Sequence, residues 1–518
     1  MMEQLIPQSQ LLPADSPAAD WCNDADSCNA FWPGTGDFHG VRAAINRRGG
    51  IEMDRRSRVA DAISRQYHRL AMTAPHALEE FRSGAEVISV GHQLQAGGGP
   101  AYFHYKILSA LRWSRKLRAS GTPSIVVFWM ASEDHDFEEI SETNGARGDS
   151  FRWNPSTYKP TTPVGMIPWD FKAEASWNAW CQRQGVSPGV SPVKAVTLAD
   201  RMRGWLLDWF PDDDVLLIDG NDVQLKEMVQ FLWKSEWNGQ GIKGSLKESN
   251  AAFSNRWGDA PLQPRDNNLF VLDANGLRTR ADRWSTDQQK QGKGDEAWKT
   301  LRPEQNSPNA ALRPLYQEWL LQSAAFVGGP SEVAYWLSLG KSFVHHRISQ
   351  PALLLRDGAL VIDERASHAV EWTQWNPLKG WWTGEVARTH WVDLELNRLG
   401  ELAGPFDAWS KALVAYAEGI PGDAVPTTRA ALSRMEQELQ QVRKKWRKIW
   451  RQQHSDQCAL VEEVFDTWLT IKGKPQERGL SALVAVEAMG GWELFKAQWF
   501  ELLENTNEPQ FLVFSSRH

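Results

Sequence analysis

Residues 133–136 bring together four titratable side chains, Glu133, Asp134, His135 and Asp136, and we call them the acidic loop. Neighbouring carboxylates raise one another's pKa and favour a charged imidazole, so the acidic loop could act as a general base, bind a substrate amine or hold magnesium. The alternative is structural, since acidic residues are also typical of a helix N-cap and first turn. We predict a catalytic role, carried first by Asp134 and His135. No fixed metal site is predicted, because the spacing His-Glu-x-x-His is absent.

Residues 91–100 are rich in glycine, and we call them the glycine loop. The glycines could let the backbone approach a phosphate, and a helix beginning near Pro100 would point its first N–H groups at the same place. The spacing matches neither of the two common phosphate-binding glycine motifs, so a purely structural turn explains it equally well. The candidates for phosphate contact are Gly91, His92, Gly98, Gly99, Pro100, His104 and Lys106, of which His92 is also a catalytic candidate.

Both loops follow predicted strands. Residues 86–90 and 124–130 are apolar runs, and residues 102–118 between them repeat apolar side chains at helical spacing. Such a strand-helix-strand unit joins parallel strands, and ligands of open parallel sheets collect outside the carboxyl ends of the strands. We therefore expect the two loops to lie at the same edge of one sheet.

The chain up to residue 400 fits the α/β class. Further buried strands are predicted at 214–219 and 351–355, with helices over 315–326 and 332–343 between them. Residues 145–200 and 254–311 are rich in polar and turn-forming residues, and we interpret them as insertions on the sheet.

An apolar heptad pattern follows the α/β part. Its a and d positions are Leu432, Met435, Leu439, Val442, Trp446 and Ile449. We place an α-helical coiled coil at 401–470, with heptads over about 428–453 and a helix start near Pro426, and we expect a homodimer or an intramolecular hairpin. The basic residues beside the seam are interpreted as a solvated flank. Residues 471–518 are expected to pack back on the core.

Composition excludes several classes of protein. A formal net charge of −7 over 518 residues argues against a general affinity for nucleic acid. The four cysteines are too few and too scattered for a disulfide framework. The first residues lack the basic and apolar regions of a secretion signal, and no apolar run is long enough to cross a bilayer. We expect a cytoplasmic protein with no membrane partner.

Four segments, in order along the chain, resemble the signatures of one family. They are VISVGHQLQAGGGPAYFHYK at 87–106, VVFWMASEDHDFEEI at 126–140, LRPLYQEWLLQSAAFVGGPSEVAYW at 312–336 and PQERGL at 475–480. Their order and spacing resemble the cysteine-adding enzymes of bacillithiol biosynthesis. The Gly-Gln-Gln start of that family stands here as Gly91-His92-Gln93, and the interior of the glycine loop departs from the family pattern.

This resemblance implies a Rossmann-like core with connecting-peptide insertions and an α-helical coiled coil that promotes dimerisation. It also implies a ligase that joins L-cysteine to glucosaminyl malate and gives bacillithiol in the last step of that pathway. Amide formation from a free carboxylate is uphill, so we expect ATP or another nucleotide to activate the carboxyl, with magnesium as an option. Neither loop contains cysteine, so we expect no thioester on a protein thiol.

The matched segments add binding candidates. Arg313 could pair with the malyl carboxylate, because its planar fork of donors suits that group. The Gly-Gly-Pro turn at 328–330 repeats the arrangement of glycines before a predicted helix start, and Glu332 with Tyr335 and Trp336 could line a polar pocket with aromatic walls. Loop closure and a structural salt bridge explain these residues equally well. The added candidates are Gln93, Tyr102, Arg313, Gly328, Gly329, Glu332, Tyr335 and Trp336.

Two other functions stay open at this stage. The same loops would serve a nucleotidyl-transferring or nucleotide-hydrolysing enzyme with another small substrate. A coiled-coil scaffold whose Rossmann-like part only senses a nucleotide is the second alternative, and such a protein would tolerate alanine at His92, Asp134 and His135.

Overall fold

A five-stranded parallel sheet lies at the centre of the computed structural model, which describes residues 4–192, 194–211, 215–291, 296–398, 403–471 and 473–515. Its strands are β1 (Glu86–His92), β2 (Ser124–Met130), β3 (Val215–Asp219), β4 (Ala325–Gly328) and β5 (Ala352–Leu355). Their order across the sheet is β5-β4-β1-β2-β3, and all neighbours are parallel. This order confirms the Rossmann-like α/β class.

Strand β1 lies between β2 and β4. It pairs with β2 along its whole length, from Glu86 opposite Ser124 to His92 opposite Met130. Every residue of β2 is buried, as expected for a parallel strand with both faces covered. Helix α1 (Ala101–Ala119) joins β1 to β2 and packs against both strands. The predicted strand-helix-strand unit is thus confirmed.

The strand order reverses beside β1. The chain runs outward from β1 through β2 to β3, and later returns to the other side of β1 with β4 and β5. Connections on the two sides of such a point leave opposite faces of the sheet, and a crevice opens between them at the carboxyl ends of the strands. We call the space at the carboxyl ends of β1 and β4 the crevice.

Strand β4 lies in a region predicted as helix, so the prediction of one helix over 315–326 is wrong at its end. Helix α2 (Arg313–Leu321) stops where Gln322 adopts a left-handed conformation with φ of 47°. The buried Glu318 carboxylate then accepts a hydrogen bond from the Ser323 N–H at 3.1 Å, and the chain turns into β4. A four-residue apolar strand cannot be distinguished from the end of a buried helix by periodicity.

The other predicted elements of the core differ less from the structure. The predicted helix over 332–343 is two helices, α3 (Pro330–Ser338) and Gly340–His345. The predicted strand at 214–219 is found from Val215, whereas Asp214 lies outside the described residues. The remaining helices of six or more residues in this unit are Pro17–Asn23, Phe38–Arg48, Met53–Arg69, Ala77–Arg82, Phe171–Gln184, Leu198–Trp209, Val223–Met228, Gln230–Trp237, Lys243–Trp257, Ala281–Lys290, Ala482–Glu487 and Trp492–Leu503.

Small antiparallel sheets occur in the two predicted insertions. At the start of the first insertion, Ser150–Arg152 pairs with Glu142–Asn144, which lies just before it. The second carries Leu269–Leu272, paired with Arg278–Arg280 on one side and Asn306–Pro308 on the other. Near the chain ends, Gln4–Pro7 pairs with Gln510–Ser515, which also neighbours Gly358–Ile362. The last strand of the chain therefore packs in the same unit as the first.

The chain divides into two compact units, residues 1–361 with 477–518, and residues 362–476. The second unit therefore begins earlier than the predicted boundary after residue 400. Its helices are Glu364–Thr373, Gly384–Arg398, Ala403–Glu418, α4 (Ala424–Gln453) and Ser455–Val464. Helix Gly384–Arg398 packs against Ser455–Val464 and α4, which explains its membership of this unit. Within the described residues, no helix combines the length and apolar character needed to cross a membrane.

The glycine loop is closed by protein side chains. Gly97 and Gly98 are buried with φ of 71° and 79°. A Cβ on Gly97 would lie 2.3 Å from Trp177, and one on Gly98 would lie 2.2 Å from Trp209. Trp177 lies in the first insertion, and Trp209 lies just after it, at the end of the helix Leu198–Trp209. The prediction that Gly98 and its neighbour Gly99 cradle a phosphate is therefore wrong, because indole rings and the loop's own Gln95 side chain occupy the space beside them.

The N-terminus of α1 is also occupied. Pro100 stands before the helix as its N-cap and forms a β-bridge with Ser481. The Ala101 N–H donates to the Leu480 carbonyl at 2.8 Å. The predicted use of this helix start for phosphate is thus wrong, because the C-terminal segment of the chain takes the position that a phosphate would need.

We predict that Gly98→Ala destabilises the larger unit by about 2–3 kcal/mol, because a Cβ would combine an unfavourable φ with a clash against Trp209. The control is Gly121→Ala, which has φ of 83° but nothing within 4 Å of its Cβ, so only the backbone cost of about 1 kcal/mol applies. Urea unfolding followed by fluorescence measures both free energies. Equal losses in the two variants would contradict the packing role of Gly98.

Candidate functional site

The crevice collects segments that are far apart in the sequence. Gly91, His92 and Gln93 stand at the end of β1, the acidic loop follows β2, and Gly329 with α3 follows β4. Hydrogen bonds join the first two segments, from the Ala131 N–H to the His92 carbonyl at 2.9 Å and from Gln93 Nε2 to the Asp136 carbonyl at 3.3 Å. The expectation that the two loops end side by side is confirmed.

Arg313, at the start of α2, neutralises the acidic loop. Its Nε donates to Glu133 Oε1 at 2.6 Å and its Nη2 to Asp134 Oδ2 at 3.2 Å. Burial acts to raise the pKa of Asp134, but the guanidinium groups of Arg313 and Arg278 outweigh it and lower this pKa to about 2. The prediction that neighbouring carboxylates raise this pKa is therefore wrong, because the charges of two arginines dominate the surroundings of Asp134.

Arg313 was predicted to bind the malyl carboxylate, and the structure gives two of its nitrogens to the acidic loop instead. Among the described residues, its Nη1 has no partner and is the atom left for a ligand. The guanidinium is therefore first a structural cation. The half-buried Tyr335 of α3 lies close enough to Arg313 to contribute, after Glu133 and Asp134, to raising the pKa of the guanidinium.

Glu133 lies beneath the crevice rather than in it. Its side chain is fully buried, and its Oε2 has no hydrogen-bond partner among the described residues. Sequence reasoning missed two buried groups near it, Lys226 and Asp219. Burial lowers the pKa of Lys226 to about 8 against the opposing effect of Glu133, and burial raises the pKa of Asp219. Asp219 ends β3, so a carboxylate closing a predicted strand was a usable signal.

His135 meets Arg278, a residue of the second insertion that sequence reasoning also missed. The Arg278 Nη1 lies 2.9 Å from His135 Nδ1. Burial and then the charge of Arg278 lower the pKa of His135, against Asp134 and Asp136. The predicted imidazolium is therefore wrong. Asp136 is exposed and is the N-cap residue of the short helix Phe137–Ile140. Its side chain makes no capping hydrogen bond, so the predicted N-cap role is met in position but not in hydrogen bonding.

His92 has both ring nitrogens engaged. Its Nδ1 lies 2.7 Å from the Gln93 carbonyl and its Nε2 lies 2.9 Å from the Tyr102 hydroxyl. A carbonyl only accepts, so Nδ1 carries the proton and Nε2 accepts from Tyr102. Burial and the nearby Lys106 lower the pKa of His92 to about 3. The predicted contact of His92 with a phosphate is not supported, because no N–H of the ring is left for it.

His104 and Trp336 lie in the core. His104 is fully buried against Trp209 and Trp492, at ring-centroid distances of 4.8 and 5.6 Å, and burial lowers its pKa to about 3. Trp336 stacks on Phe326 at 4.0 Å. The predictions that His104 contacts phosphate and that Trp336 lines a pocket are wrong, because each ring is enclosed by other aromatic side chains.

A second set of charges lies on the β4 side of the crevice. Lys106 is buried and pairs with Glu332, whose Oε2 also accepts from the Gly329 N–H at 2.8 Å. Burial and then Glu332 raise the pKa of Tyr102 to about 12. Gly328 has no room for a side chain, since a Cβ there would lie 2.8 Å from Phe326. The predicted residues Lys106, Tyr102, Glu332 and Gly329 are thus brought together.

Arg356 follows β5 and adds a cation that was not predicted. Its guanidinium donates to both carboxylate oxygens of Glu477, at 2.9 and 2.6 Å, and lies 5.6 Å from the centre of the Tyr102 ring. Glu477 belongs to the last matched segment of the sequence. A charged residue directly after the predicted strand at 351–355 was the available signal.

The site is therefore a crevice with a layer of buried ion pairs beneath it. Arg313 Nη1 and His135 Nε2 have no hydrogen-bond partner among the described residues. Within the described part of the chain, no three histidine, cysteine or carboxylate side chains are grouped as a metal site would require. The arrangement can bind a polar, partly anionic ligand and can pair an ammonium group with Asp134.

Comparison with known proteins identifies one family. A family model described as "Bacillithiol biosynthesis BshC, N-terminal Rossmann-like domain" matches residues 9–357. A protein of Flavobacterium johnsoniae is 33% identical over 297 residues, which are 54% of each chain. A protein of Cytophaga hutchinsonii is 27% identical over 482 residues, 86% of each chain. Both are named "Putative cysteine ligase BshC", and the chain matches only about half the length of the first. Since the family model covers more than half of its residues, the chain belongs to the bacillithiol biosynthesis BshC family.

Proposed function

We propose that this chain is a ligase that joins L-cysteine to glucosaminyl malate and forms bacillithiol, in the last step of that pathway. The name of the relatives, cysteine ligase, supports the reaction class. The observation that carries the proposal is the meeting of three matched segments, 91–93, 133–136 and 328–336, in the crevice where ligands of such sheets bind.

The reaction needs an activated carboxyl. ATP or another nucleotide would convert the cysteine carboxylate into an acyl phosphate or adenylate, with or without magnesium on the phosphates. The amine of glucosaminyl malate then attacks the carbonyl carbon, the bond from that carbon to the phosphoryl oxygen breaks, and the amine gives up a proton. The closed glycine loop favours the open side of the crevice, near Arg313 Nη1, for the phosphates.

Asp134 suits recognition of an ammonium group. The two arginines keep its carboxylate ionised at every physiological pH, so it is a weak base and a good partner for a cation. We assign it to the ammonium group of cysteine. Its Oδ1 also accepts from the His135 N–H at 2.8 Å, which holds the carboxylate in place.

The protein thiols offer no alternative route. Burial raises the pKa of Cys22 and Cys181 to about 12, and it also raises the pKa of the Cys28 and Cys458 thiols. A thiol of this kind is a poor nucleophile at neutral pH. This supports cysteine as the substrate of the proposed reaction rather than as a nucleophile of the protein.

We predict that the purified protein, given glucosaminyl malate, cysteine, ATP and magnesium, forms a product thiol that mass spectrometry detects. Asp134→Asn should raise the KM for cysteine at least tenfold, because a neutral amide cannot pair with the ammonium group. Asp149→Asn is the matched control, because Asp149 forms a surface ion pair with Arg183. This variant should leave kcat and the KM for cysteine unchanged.

Several outcomes would contradict the ligase. Nucleotide consumption without an amide product would favour nucleotidyl transfer or hydrolysis on another substrate. Binding of nucleotide with no turnover, and full biological function after alanine at His92, Asp134 and His135, would favour a sensing scaffold. In a deletion strain, the ligase requires loss of bacillithiol and accumulation of glucosaminyl malate.

We further propose a homodimer formed through α4. This helix contains the whole predicted seam, yet none of its residues is buried, and Met435, Trp446 and Ile449 are exposed. A second copy of the helix would cover this apolar stripe by coiled-coil packing. Helices Gly384–Arg398 and Ala403–Glu418 pack against α4 within the same chain, and Leu432, Leu439 and Val442 of the seam are half-buried, so the stripe is covered only in part.

We predict that Leu439→Glu shifts the protein from dimer to monomer at micromolar concentration, because a charge at a seam position would be desolvated in the dimer. Gln437→Glu, two residues away and outside the seam, is the control and should stay dimeric. Light scattering after gel filtration measures the mass. A monomeric unmodified protein would rule out the dimer.

A further inference from the structure

Arg278 forms a hydrogen bond with the imidazole of His135 in the acidic loop, and chemistry fixes which partner is the donor. Its Nη1 lies 2.9 Å from His135 Nδ1. A guanidinium has only donors and does not lose its proton, so Nδ1 must accept. The ring proton of a neutral His135 is therefore on Nε2. This nitrogen has no partner among the described residues, and the side chain is one-third exposed.

The second insertion holds Arg278 firmly. Its Nε donates to Ser307 Oγ at 3.1 Å and its Nη2 to the Pro308 carbonyl at 2.6 Å. The guanidinium carbon lies 4.1 Å from the centre of the Phe270 ring, which also packs against His135 at 5.4 Å. Phe270 belongs to the strand paired with that of Arg278, and Ser307 and Pro308 belong to the third strand of the same sheet. The guanidinium therefore cannot turn away from His135 without breaking this sheet's contacts.

Charged groups of both signs surround the His135 ring. Arg278 faces Nδ1, Asp134 Oδ1 lies 3.7 Å from the same nitrogen, and Asp136 follows in the chain. Asp134 is itself paired with Arg313 and lies 3.5 Å from Arg278 Nη1. Arg313 is shared between Glu133 and Asp134, and burial with the charge of Arg278 lowers the pKa of His135 against Asp134 and Asp136.

We propose that Arg278 is a positioning residue that holds His135 as the neutral tautomer with its proton on Nε2, so that His135 serves the crevice as a hydrogen-bond donor and not as a base. The matching ligand group is an anionic oxygen, such as a phosphoryl oxygen of the activated carboxyl. That ligand role rests on the proposed function, whereas the tautomer does not.

The tautomer can be measured directly on the full chain. Ring-labelled histidine in the otherwise unmodified protein gives two-dimensional ¹⁵N spectra that distinguish protonated Nε2 from protonated Nδ1. The His135 signal is identified by its loss in His135→Gln. We expect protonated Nε2 and unprotonated Nδ1 at pH 7, with titration below pH 6.5. A proton on Nδ1, or an imidazolium at pH 7, would falsify the proposal whether or not the protein is a ligase.

Variants then test the role of Arg278. Arg278→Gln should produce a mixture of tautomers and raise the midpoint of the His135 titration, because Asp134 and Asp136 then dominate its surroundings. Arg278→Lys keeps a charge and a single donor, so it should restore most of the tautomer preference. Arg280→Gln is the control, since Arg280 lies on the same strand but pairs with Asp282 at the surface. An unchanged His135 spectrum in folded Arg278→Gln would overturn the assignment.

The kinetic readout separates this proposal from the ligase proposal. If the ligase assay works, Arg278→Gln should lower kcat/KM about tenfold and add a dependence on the His135 titration to its pH profile. His135→Gln keeps an N–H donor and should retain more activity than His135→Ala. Equal activity of these two variants would contradict the donor role. If the assay fails, the tautomer measurement still decides the role of Arg278.

Discussion

The parallel pairing of β1 with β2 on one side and with β4 on the other is the constraint on which the site depends. Strands that follow β1 directly lie on one side of it, and strands that come more than two hundred residues later lie on the other. The connections therefore leave opposite faces of the sheet and cannot cover the carboxyl ends between β1 and β4. The segments 91–93, 133–136 and 329–336 reach the crevice because each directly follows one of these strands, whereas Arg313, Arg278 and Glu477 come from other parts of the chain.

Burial of charge is the second constraint. Lys106, Glu133, Arg278 and Arg356 are all buried close to the crevice, and an isolated buried charge is unfavourable by several kcal/mol. Each of these charges is accordingly paired or hydrogen-bonded within the chain. The pairing leaves few donor atoms for a ligand, and it explains why a strongly charged loop contains a neutral histidine and a carboxylate with a lowered pKa.

The two insertions shape the site from outside the sheet. The first packs Trp177 against Gly97, and Trp209, which lies just after this insertion, packs against Gly98, so the two glycines allow close packing of aromatic rings. The second forms a three-stranded sheet that carries Arg278 to His135. Neither contribution lies near the matched loops in the sequence. The insertions therefore decide which atoms of the two loops are accessible.

Local pattern was sufficient for the elements with long or uninterrupted signals. Residues 86–90 and 124–130 predicted β1 and β2, the apolar repeat predicted α1, and the heptad pattern predicted one long helix around residues 428–453. The placement of the two loops at one edge followed, because parallel strands joined by a helix bring their carboxyl ends together. Strand β4 was missed, since four apolar residues after a helix carry no periodicity of their own.

The sequence by itself determined the fold class, the family resemblance and the position of the acidic and glycine loops at the strand ends. Only the tertiary structure decided what the side chains can do. The protonation of Asp134 and His135 depends on Arg313 and Arg278, and the fate of the glycines depends on two tryptophans, all from distant segments. The reason is physical: a pKa or the space beside a glycine is set by whatever lies within a few ångströms, and sequence separation does not predict those neighbours.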